Sequence, residues 1–270
     1  FCDDDLRRRL AHRNEIERGL LHAIEHDELV LHVQELVRAR DEVPVSLEAL
    51  VRWEQPGLGI VPPGDFIPVA EQSDLIVSLD RWVLERAAAH LAEWTSDPVR
   101  SAHTLAVNIS ERHLAHRGLV EHVLGPLRHH GVDPARLTIE VTETALLDDI
   151  AVAASQLQEL RAAGVRVAID DFGTGYTSLT HLRALPVDVI KIDRSFVANL
   201  SRDDERSLVR MIVEVGHHFG YEVVAEGVET ALEARELLSL GVDVLQGFHY
   251  SRPTLVELSR PRRARLQPAS

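Results

Sequence analysis

Lysine is all but missing: of the 29 lysine and arginine residues, Lys191 is the only lysine. A bias that excludes lysine has spared a single position, inside an apolar run, where a buried ammonium is costly unless it is paired or catalytic. The lone cysteine, Cys2, excludes an internal disulfide and fits a reducing cytoplasm. No stretch approaches the roughly 18 consecutive apolar residues that a membrane span needs, and no signal peptide is visible. Basic charge is also short. A net charge of −14 argues against DNA or RNA backbone binding and leaves any anionic substrate in need of metal ions or local arginines. The first residue is Phe1 and the single methionine is Met211, so we expect a piece of a longer protein with further modules upstream. Histidines number fifteen, but neither an HExxH motif nor a cysteine-histidine cluster occurs. The pairs His113/His116 and His129/His130 lie in polar, helix-like stretches and read as exposed surface.

A chain of 270 residues with 45% hydrophobic content suits one large α/β domain, with two small domains as the alternative. Ile16, Leu20, Ala23 and Ile24 recur at helical spacing, predicting an amphipathic helix over 14–25 with a linker before it. Leu29–Val37 and Val45–Trp53, separated by the charged turn ARDEVP, read as a hairpin. Pro62, Pro63 and Gly64 introduce a helix from about Asp65, and Ser78 is a candidate cap for a second over Leu79–Trp94. Strands near Leu105–Ser110, Leu137–Thr142, Val165–Asp170, Val187–Asp193, Glu222–Glu226 and Val242–Phe248 then alternate with helical segments. Six such strands plus the hairpin give eight, the pace of a (β/α)₈ barrel; a doubly wound open sheet is the alternative. The expected organisation is a linker and N-terminal helix over 1–28, a barrel over 29–257 and a basic, disordered tail over 258–270.

Val165–Phe196 carries the densest chemistry. The run VRVAI ends in Asp170 and Asp171; a glycine-bearing loop and a helix-like segment, Tyr176 to Ala184, lead to a second apolar run holding Lys191. In such a βαβ unit all three charged residues lie at the carboxyl edge of the sheet, where α/β folds bind ligands. Adjacent carboxylates repel unless a cation sits between them, which suggests a divalent metal; an N-cap beside a turn aspartate is the plain alternative.

Strand parity extends the pattern. Asn108 shares a face with Ala106, Glu140 with Thr138, Asp170 with Ala168, Lys191 with Val189, Glu226 with Val224 and Gln246 with Val244, each late in its strand. Glu48, Leu50 and Arg52 share one face of an earlier strand. In a closed barrel these residues converge on one mouth. Buried carboxylates in that number need neutralising, and a hard-oxygen set suits Mg²⁺ or Mn²⁺, two ions of which Asp170 could bridge for in-line phosphodiester attack.

Glu48-Ala49-Leu50, followed by Val51-Arg52-Trp53, resembles the signature of the EAL-domain family, phosphodiesterases of the bacterial second messenger cyclic di-GMP. VNIS, IEVTE, DDFGTGYTSL, KIDRSF, AEGVET and QGFHYSRP follow in family order, from about Leu29 to Pro253. The resemblance implies a TIM-like (β/α)₈ barrel with its first strand antiparallel and hydrolysis of cyclic di-GMP to pGpG with two Mg²⁺ or Mn²⁺ ions. It further implies that Glu48, Asn108, Glu140 and Asp170 hold one metal and that Asp170, Asp171 and Glu226 serve the second. Lys191 would hold and polarise the attacking water, with Glu226 as a base. Gln34, Leu50, Arg52, Glu229 and Gln246 would contact the nucleotide. Glu143 and the loop 171–178, with Phe172, Gly173, Thr174 and Gly175, would link the metal site to a homodimer interface. An upstream regulatory domain in the full-length protein is also implied. The usual Tyr-Gln-Pro is here Val33-Gln34-Glu35, a departure that touches local packing.

A catalytically silent receptor of the same nucleotide is the second reading, although such proteins lose metal ligands or the lysine. A Schiff-base aldolase built on Lys191 is the third. That chemistry leaves Asn108 and the carboxylates without a purpose.

Overall fold

A computed structural model describes residues 2–57, 59–97, 100–148, 150–175, 182–183 and 185–256. Alternating apolar residues make β1 (Leu29–Arg38) and β2 (Pro44–Gln55) a long antiparallel hairpin that sets Gln34 opposite Glu48. The ladder runs through Val33, Gln34 and Glu35 without a break, so the departure from Tyr-Gln-Pro leaves local pairing intact. β3 (Gly59–Val61) lengthens the β2 edge. Parallel pairing then carries the sheet from β2 through β4 (Thr104–Asn108), β5 (Leu137–Thr142), β6 (Arg166–Phe172), β7 (Val189–Ile192) and β8 (Glu222–Ala225) to β9 (Val244–Gln246). β9 returns to β1 in antiparallel register, Leu36 opposite Gln246. Eight strands therefore close into a TIM-like barrel whose first strand is antiparallel to both neighbours, and the open-sheet alternative falls away. The short β10 (Thr254–Leu255) pairs with β1 beside that seam.

Parity sorts the side chains as expected. Leu36, Ala168, Val189, Val224 and Val244 fill the barrel interior. Leu105, Val107, Ile139, Val141, Val167, Ile169, Ile190 and Ile192 belong to the outer core beneath the helices.

Two helices begin earlier than the sequence suggests. The second of the pair after the hairpin spans Leu75–Trp94 from Asp74, one turn before Ser78, because buried Ile76 and Leu79 continue the apolar stripe of Val83 and Leu84. The first helix runs over Cys2–Glu25, so the stretch expected as a linker is helical as well. Its Ile16, Leu20 and Ala23 pack with Trp53 and Phe66. A Cβ on Gly19 would come within 2.7 Å of the Trp53 ring, so only glycine allows this approach. Most of the expected helix Tyr176–Ala184 and the tail 258–270 lie outside the described residues. Among those described, no helix is long and apolar enough to cross a membrane.

Candidate active site

Ile190 and Ile192 point into the outer core, so Lys191 must point inward, where it is 1% exposed. Its Nζ lies 2.5 Å from Glu226 Oε1, 2.8 Å from Glu140 Oε2, 3.3 Å from Asp170 Oδ1 and 3.8 Å from Glu48 Oε2. Four strand ends thus surround one ammonium. Asn108 Nδ2 donates to Glu48 Oε1 at 2.8 Å. On the other side Gln246 Nε2 donates to Glu48 Oε2 at 2.6 Å and to Gln34 Oε1 at 3.3 Å, while Gln34 Nε2 donates to the Ser251 carbonyl at 2.9 Å.

Asp171 takes the left-handed conformation, φ 53°, which aspartate tolerates better than most residues. Its N–H donates to Asp170 Oδ1 at 3.0 Å. One oxygen each of Asp170, Asp171 and Glu226 then lie within 4.8 Å of one another, an all-oxygen group able to hold a cation.

The charge balance points the same way. Burial holds the Glu140 carboxyl well above its ordinary range, against the pull of Lys191. Glu226 is pushed up to about 8 by burial, with Asp170 and Glu48 adding to it and Lys191 opposing. Asp171 rises to about 6 through burial and the charges of Asp170 and Asp193. Burial alone would pull Lys191 down, but Glu140, Glu226, Glu48 and Asp170 together hold it well above the usual lysine value. One ammonium cannot offset this many carboxylates, and hard divalent cations fit the donors present.

Leu50, Arg52, Asn108 and Thr142 line a cavity of about 1000 Å³ that opens beside the cluster. Arg52 is half-buried, and its Nη1 donates to the Val51 carbonyl at 2.8 Å. Glu229 is exposed and does not line this cavity, its N–H held by Glu233 Oε2 at 2.8 Å. Buried Glu143 accepts from the N–H groups of Gly173 at 2.9 Å and Gly175 at 3.3 Å. Thr174 Oγ1 donates to the Asp171 carbonyl at 2.8 Å, and Phe172 is buried. Residues 176–178 of that loop lie outside the described residues.

Sequence reasoning missed a second polar group. His113, expected at the surface, is fully buried, with Nδ1 3.2 Å from Asp80 Oδ2 and Nε2 2.9 Å from His122 Nδ1. Ser110 donates to the same Asp80 oxygen through both N–H and Oγ. Asp80 is a lone aspartate within an apolar helix, and its partners come from distant positions, so spacing alone gives no sign of the group. His129 is exposed as expected, whereas His130 is partly covered and pairs with Glu85 at 2.8 Å.

Residues 17–253 match the family model described as the EAL domain. The bifunctional diguanylate cyclase/cyclic di-GMP phosphodiesterase MucR of Pseudomonas aeruginosa is 39% identical over 258 residues, covering 95% of this chain and 38% of MucR. The cyclic di-GMP phosphodiesterase PdeR of Escherichia coli is 39% identical over 239 residues, covering 88% of this chain and 36% of PdeR. This chain therefore spans little more than a third of the length of either relative. Among solved structures, the PaMucR phosphodiesterase in complex with c-di-GMP is 40% identical with a TM-score of 0.85, covering 89% of this chain and 97% of that one.

Proposed function

Because the chain belongs to the EAL domain family, we propose that it is a metal-dependent phosphodiesterase that hydrolyses cyclic di-GMP to the linear dinucleotide pGpG. The observation that carries this reading is the convergence of Glu48, Glu140, Asp170 and Glu226 on Lys191, with Asn108 bonded to Glu48. A silent receptor would be expected to have lost one of these groups, and each is in place.

In this reading Glu48, Asn108, Glu140 and Asp170 hold one Mg²⁺ or Mn²⁺ ion, and Asp170, Asp171 and Glu226 hold the second. The pair, when bound, supplies Lewis-acid stabilisation of the phosphoryl oxygens and lowers the pKa of attacking water. Lys191 places its ammonium beside that water and a non-bridging phosphate oxygen. Glu226 accepts the proton that leaves the water as its oxygen bonds to phosphorus; the bond from phosphorus to the 3′ oxygen breaks, and that oxygen takes a proton from solvent to leave as the hydroxyl of pGpG. Gln34, Leu50, Arg52, Glu229 and Gln246 bind the nucleotide around this centre, and the buried Gln246 Oε1, which has no protein donor among the described residues, is free to accept from it.

The barrel unit, taken as 29–257, acts in the cytoplasm as a homodimer through the region after the fifth strand, in a longer protein with an upstream regulatory domain. Glu143 supports this reading by tying Gly173 and Gly175, next to Asp171, to the end of β5. The experiment is incubation with cyclic di-GMP and Mg²⁺ or Mn²⁺, followed by chromatography for pGpG. Conversion is expected. Tight binding with no pGpG would select the receptor reading instead.

A further inference from the structure

We propose that Asp80 is a positioning residue for Asn108, acting through the turn by which β4 leaves the barrel. Asp80 lies within the helix Leu75–Trp94 and is only 6% exposed, where a carboxylate needs donors. Its Oδ2 collects three: Ser110 N–H at 3.0 Å, Ser110 Oγ at 2.6 Å and His113 Nδ1 at 3.2 Å. Ser110 Oγ also accepts from the His113 N–H at 3.3 Å, capping the short helix Glu111–Leu114.

Ser110 follows Asn108 by two residues, and the intervening Ile109 N–H donates to the Glu140 carbonyl at 2.8 Å. The backbone leaving Asn108 is thus fixed from both sides, by a strand of the site and by Asp80. Asn108 needs this support. It is the exposed end of an otherwise covered strand, so its aim at Glu48 is set by the backbone more than by packing around the side chain. His113 completes the anchor. Its Nε2 lies 2.9 Å from Nδ1 of the half-buried His122, which holds the ring in place from its far side.

The bearing of Asp80 on catalysis rests on the proposed function; its hold on Asn108 does not, and the test separates the two. In metal-free protein, the Asn108 side-chain amide is assigned by the resonances lost in Asn108→Asp, and its exchange with water is measured by NMR. Asp80→Ala should speed that exchange on the order of tenfold by freeing the amide from Glu48. Asp80→Asn keeps an oxygen able to accept the same three donors, and should stay near wild type. An unchanged Asn108 amide in folded Asp80→Ala overturns the proposal. Should Asp80→Ala fail to fold, Ser110→Ala removes the hydroxyl donor alone and should show a smaller acceleration; an unmoved Asn108 amide there overturns it equally. A chain that shows the Asp80 effect but makes no pGpG refutes the hydrolase reading alone, whereas an active chain whose Asn108 amide ignores Asp80 refutes this inference alone.

Discussion

Gln246 Nε2 lies 2.6 Å from Glu48 Oε2, a side-chain bond that reaches across β1 from the last barrel strand to the second. The next residue makes that reach possible, since a Cβ on Gly247 would stand 2.0 Å from the Val228 carbonyl oxygen and 2.3 Å from its nitrogen. Gly247→Ala must therefore push β9 away from its neighbour. We expect a loss of about 3 kcal/mol in urea unfolding together with weaker nucleotide binding. Wild-type stability in this variant would mean that the β9 exit shifts freely.

Lys191→Arg should lose rate on the order of 100-fold while nucleotide and metal still bind. The guanidinium keeps the charge but presents a planar fork where the site offers room for a compact donor among four carboxylates. Single-turnover rate and nucleotide affinity, measured for Lys191→Arg and Lys191→Ala, decide the matter. Restored rate in the arginine variant would reduce Lys191 to a counter-charge.

Excess chelator should abolish turnover, with Mg²⁺ or Mn²⁺ restoring it and Ca²⁺ a poor substitute, because a paired site needs compact geometry. Glu48→Ala and Asp170→Asn should each be inactive yet retain the wild-type circular dichroism spectrum, since the barrel mouth adds little to core stability. Full turnover in chelator, or near-normal activity in either variant, would sink the metal assignment.

His90 supplies a pH test away from the site. It is buried on the helix Leu75–Trp94, its Nδ1 has no partner among the described residues, and burial, helped by Arg86 and Arg100, pushes its pKa down to about 4. The folded state then disfavours the proton. The stability this group contributes is present above the unfolded value near 6.5 and is lost as pH falls towards 4, on the order of 3 kcal/mol in all. Urea midpoints should fall more steeply for wild type than for His90→Leu as pH drops across that window. A constant gap would show that His90 does not titrate in this way.

Much of the site was legible because strands obey a period of two. Lys191 between two isoleucines, and Asp170 two places after Ala168, each have a single inward choice once the barrel closes. Helix starts were harder to read. Asp74 and Ser78 are both acceptable caps, and only the burial of Ile76 tells them apart. His113 was misread because a polar stretch gives no hint that one of its members turns inward to a carboxylate 33 residues earlier. Such a network belongs to tertiary structure alone.

The seam between β1 and β9 has a consequence for how the chain matures. Gln34 and Gln246 meet across it although 212 positions separate them, and Glu48 depends on the same late partner. A nascent chain leaving the ribosome can form the hairpin early, yet the barrel mouth stays open along one side until β9 has emerged. Contacts of such long range form slowly. The Gln246 bonds to Glu48 and Gln34 can then form only when the barrel closes, so the carboxylate cluster takes its final shape in that step.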